Sequence, residues 1–300
     1  MPSQENFLWG ADDRCYPVFR AALREKRIWR SGKEGRTMAK IYYVGDWAVL
    51  TGPVFAETPF YYSHKGLDIF NYGKWLKEAL ESSGQHTVPS VPTWDFYNKL
   101  GPGDYEELLK EYDVLIFSDI DAKLFQLAPN FFNRDKFGNG ILTFPDRIRL
   151  TLEAVKKGKG ALFLGGWYSF TGEQGKGGWG RTRLRELLPV RCLDHEDLVE
   201  STEGFDAELT PAGETLFKNI NIQTMPPILG YNKTTPIPEG KVLVRVKETG
   251  DALVASRAYG RGRVLAYMSD PAPHWGCNFI FWEGYAAFWL ACVEHVLGRK

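Results

Sequence analysis

Apolar residues fall in short continuous runs separated by amphipathic stretches, and that alternation predicts a parallel sheet covered by helices on both faces. The segment Lys40–Val44, with Ile41-Tyr42-Tyr43-Val44 at its centre, predicts the first strand, ending in Gly45-Asp46-Trp47. Leu67–Ser82 follows with Ile69, Phe70, Trp75, Leu76, Ala79 and Leu80 as the apolar positions of one helix, stopped at Gly84. His86–Val91 reads as the second strand, and Asp104 with Glu107 resembles a capping box for a helix over 105–111. Asp113–Phe117 has the unbroken apolar character of a strand buried on both faces, and it too runs into polar residues, Ser118-Asp119. Pro145 and Asp146 suit the first turn of a helix that reaches Lys157 and closes on Gly158. Ala161–Leu164 then re-enters the sheet and meets the turn Gly165-Gly166-Trp167-Tyr168-Ser169.

Beyond that junction the pattern weakens. Five glycines lie between Gly172 and Gly180, a short helix is expected over Arg183–Leu188, and residues 190–250 read as loops and short strands elaborating one edge. Val242–Val246, Ala252–Ala258 and Arg263–Met268 predict an antiparallel set, with Gly260-Arg261-Gly262 as the last turn, before a final helix over Phe281–Leu297. Residues 1–37 differ from the rest: they carry the basic stretch from Arg20 to Arg36 and precede Met38, which opens the first strand. They are expected to be a peripheral extension or the product of an upstream start, with a docked helix over Pro17–Trp29 as the alternative, so 38–300 is the expected domain.

With 44% hydrophobic and 14% aromatic residues, the 300-residue chain can bury a large core. Lysine plus arginine equals aspartate plus glutamate at 37 each, so no global field selects nucleic acid or an anionic membrane as partner. There is no apolar run long enough to span a bilayer and no apolar signal core, which predicts a cytoplasmic protein. The cysteines, at 15, 192, 277 and 292, form neither a CxxC pair nor a zinc spacing, which predicts reduced thiols.

In open parallel sheets ligands bind beyond the carboxyl ends of the strands. That rule gathers Asp46, Trp47, Asp119, Gly165, Gly166, Trp167, Tyr168, Ser169, Asp270, His274 and Trp275 as candidate ligand-facing residues, with Glu283 joining them from the start of the last helix. Asp46 and Asp119 have a structural alternative as caps of turns, and His274 has one as a core histidine held by Asp270. Two prolines in Ser269-Asp270-Pro271-Ala272-Pro273-His274-Trp275 stiffen the backbone around that imidazole. Ser169 has Trp167 where a GxSxG elbow requires glycine, and the aromatic residues of 279–289 fall at helical spacing suited to a core.

These residues resemble the class I glutamine-amidotransferase-like superfamily, within it the branch of cytoplasmic proteins described as putative glutamine amidotransferase. The resemblance covers 39–298 and rests on Phe117-Ser118-Asp119-Ile120, Leu164 to Phe170, Leu187-Leu188-Pro189-Val190 and Leu229-Gly230-Tyr231-Asn232. Its most specific part is Tyr259 to Ala266, Ser269-Asp270, Pro273-His274-Trp275-Gly276 and Trp282-Glu283-Gly284-Tyr285. It implies a flavodoxin-like three-layer α/β/α fold with a mainly parallel sheet, plus the antiparallel elaboration near the carboxyl terminus. It also implies that Trp167 stands where active amidotransferases carry their nucleophilic cysteine, so ordinary glutaminase activity is not expected.

Three readings follow. The first is a protein that binds or acts on a polar small molecule, such as a sugar, with His274 and Asp270 as an acid/base pair. The second is a non-catalytic assembly or regulatory protein, expected to form a homo-oligomer through its aromatic surface. The third, glutaminase chemistry through Cys277, lacks a strand-to-helix elbow at that cysteine. The residues name no cofactor, and whether Asp46, Asp119 and His274 hold a metal stays open at this level.

Overall fold

The computed structural model describes residues 38–57, 59–60, 62–100, 103–126, 134–140 and 143–299. The basic extension, with its expected helix and Cys15, lies outside the described residues. In chain order the first strands are β1 Ala39–Gly45, β2 Trp47–Glu57, β3 Tyr62–Asn71, β4 His86–Thr87, β5 Ser90–Val91, β6 Val114–Ser118 and β7 Gly160–Leu164. Then come β8 Val190–Cys192, β9 Leu198–Phe205, β10 Ala207–Leu209, β11 Ile228–Asn232, β12 Thr234–Pro236, β13 Lys241–Val246, β14 Ala252–Tyr259 and β15 Gly262–Tyr267.

One sheet runs in the order β10-β13-β14-β15-β7-β6-β1-β4, with β5 also pairing β1. The centre is parallel, through β1 with β4, β5 and β6, β6 with β7, and β7 with β15. The β15–β14, β14–β13 and β13–β10 pairs are antiparallel, as the sequence predicts for that end of the chain. Every residue of β6 and β7 is buried, which explains their unbroken apolar runs. The period of two splits these strands cleanly. Tyr42, Val44, Leu115, Phe117, Ala161, Phe163, Val264 and Ala266 join one core cluster with residues of the helices Asp104–Glu111 (α2) and Arg147–Lys156 (α3). Helices Lys74–Glu81 (α1) and Tyr285–Leu297 (α4) pack on each other, and Trp289 of α4 meets the Tyr267 ring edge-on at 5.2 Å. No described helix is long and apolar enough to cross a membrane.

Two expectations need correction. Residues 67–71 are not helical: they complete β3, which pairs with β2 in a hairpin, and α1 begins only at Lys74 after Gly73. Leu67-Asp68-Ile69-Phe70-Asn71 alternates nearly as well with period two as with a helical period, and Ile69 is exposed rather than part of the apolar helix face. Trp75, Leu76, Ala79 and Leu80 do form that face, all buried. The Asp104–Glu107 capping box is also not formed, since the N-cap of α2 is Gly103 with no side-chain bond.

Asp146, by contrast, caps α3 itself, accepting hydrogen bonds from the Ile148 and Arg149 amides at 2.8 and 3.2 Å. Asp146→Ala is expected to lower stability by about 1 kcal/mol in urea denaturation, the usual worth of an N-cap side chain.

Candidate functional site

The carboxyl ends of β1, β6, β7 and β15 lie side by side, and the chain leaves each of them abruptly. Asp46 (φ 54°) and Asp119 (φ 47°) adopt left-handed backbone just after β1 and β6, and His274 (φ 86°) does so after β15. Asp and His adopt that conformation more often than most residues, yet for any residue other than glycine it is a state that the surrounding packing must hold. Such positions concentrate where a structure presents groups to a ligand.

The floor of the site is acidic. Asp46 is buried and accepts hydrogen bonds from the Tyr43 hydroxyl and, at 2.9 Å, from the Ser118 hydroxyl. Burial nonetheless pushes its carboxyl up to about 6, because two neutral donors do not replace lost hydration. Asp119 accepts the Tyr168 amide at 2.6 Å on Oδ1, and burial followed by repulsion from Asp46 raises it to about 7. Asp270 is buried deeper, bonded only weakly by the Trp275 amide at 3.5 Å, and is pushed well up by burial and by the charges of Asp119 and Asp46. Burial moves His274 the other way, down to about 4, so its imidazole is neutral at neutral pH. Its Nδ1 stands 3.9 Å from Asp270 Oδ2, beyond hydrogen-bond reach, and its ring stacks on Trp167 with centroids 4.6 Å apart and 24° between planes.

The turn after β7 is held by residues from the sheet's edge elaboration. Asn232 accepts the Gly166 amide at 3.0 Å, donates to the Gly166 carbonyl at 3.1 Å and donates to Asp197 Oδ1 at 3.0 Å. Asp197 in turn accepts the Thr171 and Gly172 amides, both at 2.9 Å. Gly166 (φ 139°) must be glycine, since a β-carbon there would stand 2.5 Å from Asp119 Oδ1. Ser169 is buried, donating to the Leu164 carbonyl at 2.6 Å and accepting the Asp119 amide at 3.2 Å, so its hydroxyl ties the two strand ends together. Glu200 of β9 accepts both the Trp275 indole at 2.8 Å and the Trp167 indole at 3.3 Å.

Above the floor lies a pocket of about 300 Å³. Its aromatic walls are Trp47, Tyr72, Trp94, Trp167 and Tyr168, and its ionisable lining is Asp46, Asp119, Asp121 and His274. Trp47 is fixed by its indole N–H to Ser90 at 2.9 Å and by an edge-on contact with Trp94 at 6.3 Å. Of the expected residues, Asp46, Trp47, Asp119, Trp167, Tyr168 and His274 therefore line one cavity. Gly165, Gly166, Ser169, Asp270 and Trp275 are buried in the shell beneath it. Glu283 is exposed and lines a separate groove with Asn219, Phe281 and Trp282. Among the described residues no group of three or more histidine, cysteine or acidic side chains is placed to hold a metal ion.

Sequence reasoning missed Tyr43, Tyr72, Trp94, Asp121, Asp197 and Glu200. Only Asn232 carried a signal, through Leu229-Gly230-Tyr231-Asn232. The others come from strands, loops and, for Trp94, the short helix Thr93–Asn98, with no chemical spacing to the rest, and only the fold brings them together.

A mainly parallel sheet whose strand ends support a glycine turn, paired carboxylates and a histidine after the last parallel strand defines a glutamine-amidotransferase-like α/β protein. Residues 61–298 match the GATase1-like family, described as "Putative glutamine amidotransferase", and the chain belongs to that family. Among solved structures it is similar to the cytoplasmic protein STM3548 from Salmonella typhimurium, with 27% identity over 86% of this chain and 99% of that one, at a TM-score of 0.73. It is also similar to the cytoplasmic protein STM1381 from Salmonella typhimurium LT2, with 30% identity over 87% of this chain and all of that one, at a TM-score of 0.71. No curated protein matches the chain.

Proposed function

We propose that this chain binds or acts on a polar small molecule in the pocket at the carboxyl edge of the sheet, and that it does not hydrolyse glutamine. The pocket carries this reading: aromatic faces surround two carboxyls whose environment raises them into the neutral range, the combination expected of a ligand site. Asp119 is the group suited to exchange a proton with a bound molecule at neutral pH. His274 serves as a wall, stacked on Trp167, and at 3.9 Å from Asp270 with its imidazole neutral it does not form a working ion pair there.

Glutamine hydrolysis by this family's superfamily requires a thiolate at the turn after β7, where Trp167 stands. None of the described cysteines lines the pocket. Burial raises the Cys277 thiol and pushes Cys192 up to about 12, the reverse of an activated nucleophile. We take the protein to work in the cytoplasm, the location in the names of both similar structures.

The test is a thermal-shift screen of the whole chain against sugars, polyols, amino acids and amines, since a ligand of the native state raises its melting temperature. At least one compound is expected to stabilise the wild type and to lose its effect in Trp167→Ala. Ammonia release from glutamine is expected to stay at background, with or without Cys277→Ala. Glutamine turnover that depends on Cys277 would overturn the reading, as would stabilisation by hits that Trp167→Ala leaves intact.

A further inference from the structure

The charge around the pocket is one-sided. Asp46, Asp119 and Asp121 line it, and among the described residues no lysine or arginine does. Among the described residues none of these three carboxylates takes part in an ion pair. The partners of Asp46 are two hydroxyls and that of Asp119 a backbone amide. Asp121 accepts the amides of Lys123 and Leu124 at 2.8 and 2.9 Å. Lys176 does approach the Tyr168 ring, at 5.6 Å, but its ammonium pairs with Glu173 at 3.7 Å. Among the described residues, then, the carboxyls of the cavity have no cationic side chain to balance them.

The walls select in the same direction. An aromatic face carries negative charge density and attracts a cation, most strongly in tryptophan, and the attraction grows when both partners are shielded from water. Trp47 and Trp167 are held in place by Ser90 and Glu200 before any ligand arrives, so little side-chain entropy is lost in forming a cage. An anionic ligand would meet repulsion from the floor and the ring faces alike. A neutral hydroxylated one would find acceptors but leave the charge unbalanced.

From this composition we infer that the pocket's ligand carries a positive charge, as a primary or quaternary ammonium group placed between the tryptophan faces and the carboxylates of Asp46 and Asp119. The inference rests on the reading of this cavity as a ligand site. A positive charge placed beside them would favour the ionised form of both carboxyls, which burial otherwise raises.

The experiment is isothermal titration calorimetry of the full chain with matched probes: choline against 3,3-dimethylbutan-1-ol, which has carbon in place of nitrogen, and glucosamine against glucose. At least one ammonium probe is expected to bind at least about tenfold more tightly than its uncharged twin, the order of one desolvated cation–aromatic contact. That preference is expected to shrink in Asp119→Asn. Equal binding of twins overturns the charge inference, as does binding of neutral or anionic compounds with no response to any amine, and in both cases the site reading survives. A preference that Asp119→Asn leaves untouched overturns the placement of the ammonium at Asp119. Silence from every probe, together with silence in the thermal-shift screen, overturns both.

Discussion

Asp119→Asn is expected to raise the melting temperature by about 5 °C at pH 8 and to leave it nearly unchanged at pH 4. The folded protein holds the Asp119 proton up to about pH 7, whereas the unfolded chain releases it near 3.8. Between those values the folded state binds more protons than the unfolded one, so stability falls as pH rises through the window and stays at its lower level above it. This is the opposite sign to a salt-bridged aspartate, whose depressed pKa contributes stability at neutral pH. The full linkage is on the order of 4 kcal/mol, and a partly solvated carboxyl recovers some of it, leaving about 2–3 kcal/mol for asparagine to regain at pH 8. In a domain of this size that corresponds to about 2 °C per kcal/mol. Asparagine keeps an oxygen for the Tyr168 amide and tolerates the left-handed backbone at this position. Thermal unfolding of both proteins at pH 4 and pH 8 checks this, and an equal difference at the two pH values would falsify the assignment of the cost to the charge.

A carboxylate that weakens the fold at neutral pH, beside Asp46 and Asp270 which do the same, indicates a site shaped by something other than stability. The backbone repeats the pattern, since Asp46, Asp119 and His274 all stand in left-handed conformations at the ends of their strands. Charge burial and backbone strain coincide at one edge of the sheet. The opposite ends of the same strands meet α2, α3 and α4 across a groove lined by Lys110, Asp113, Glu153 and Leu297, where none of the non-glycine residues has positive φ.

The sheet was legible because its signal is local. β1, β6, β7 and β13 to β15 each announce themselves by a short apolar run, and each run is buried where the pattern says it should be. The hairpin β2–β3 was not legible, since residues 67–71 carry two periodicities and only pairing with β2 decides between them. The site was half legible for a related reason. Residues that directly follow a strand, such as Asp46, Asp119 and Trp167, can be placed from the strand alone. Tyr72 reaches the pocket only because the hairpin returns the chain to the end of β1, where Gly73 N–H bonds the Asp46 carbonyl at 3.0 Å. Trp94 reaches it from the short helix Thr93–Asn98, which follows β5 where that strand pairs with Tyr43 and Val44 of β1. Glu283 failed for the converse reason. It sits just before α4, whose direction carries it to another face.

Asn232→Ala is expected to cost about 3–5 kcal/mol in urea denaturation and to abolish ligand stabilisation in the thermal-shift screen. Its amide satisfies both backbone groups of Gly166 and one oxygen of Asp197, and all three partners are buried. Alanine leaves a backbone N–H, a backbone carbonyl and part of a carboxylate without a partner in a place water cannot easily reach, and each buried loss of this kind costs about 1–3 kcal/mol. Gly166 then loses the restraint that sets it against Asp119, and the Tyr168 amide that steadies the carboxylate moves with it. Asn232→Asp separates hydrogen bonding from shape. It keeps the volume and the acceptor for the Gly166 amide but aims a second carboxylate at Asp197, whose own carboxyl burial already raises. Above the pH at which both ionise it is therefore expected to be as damaging as alanine, and on acidification a proton shared between the two oxygens restores the missing donor. A variant equally weak at pH 5 and pH 8 would show that packing, not the bond network, holds the turn after β7.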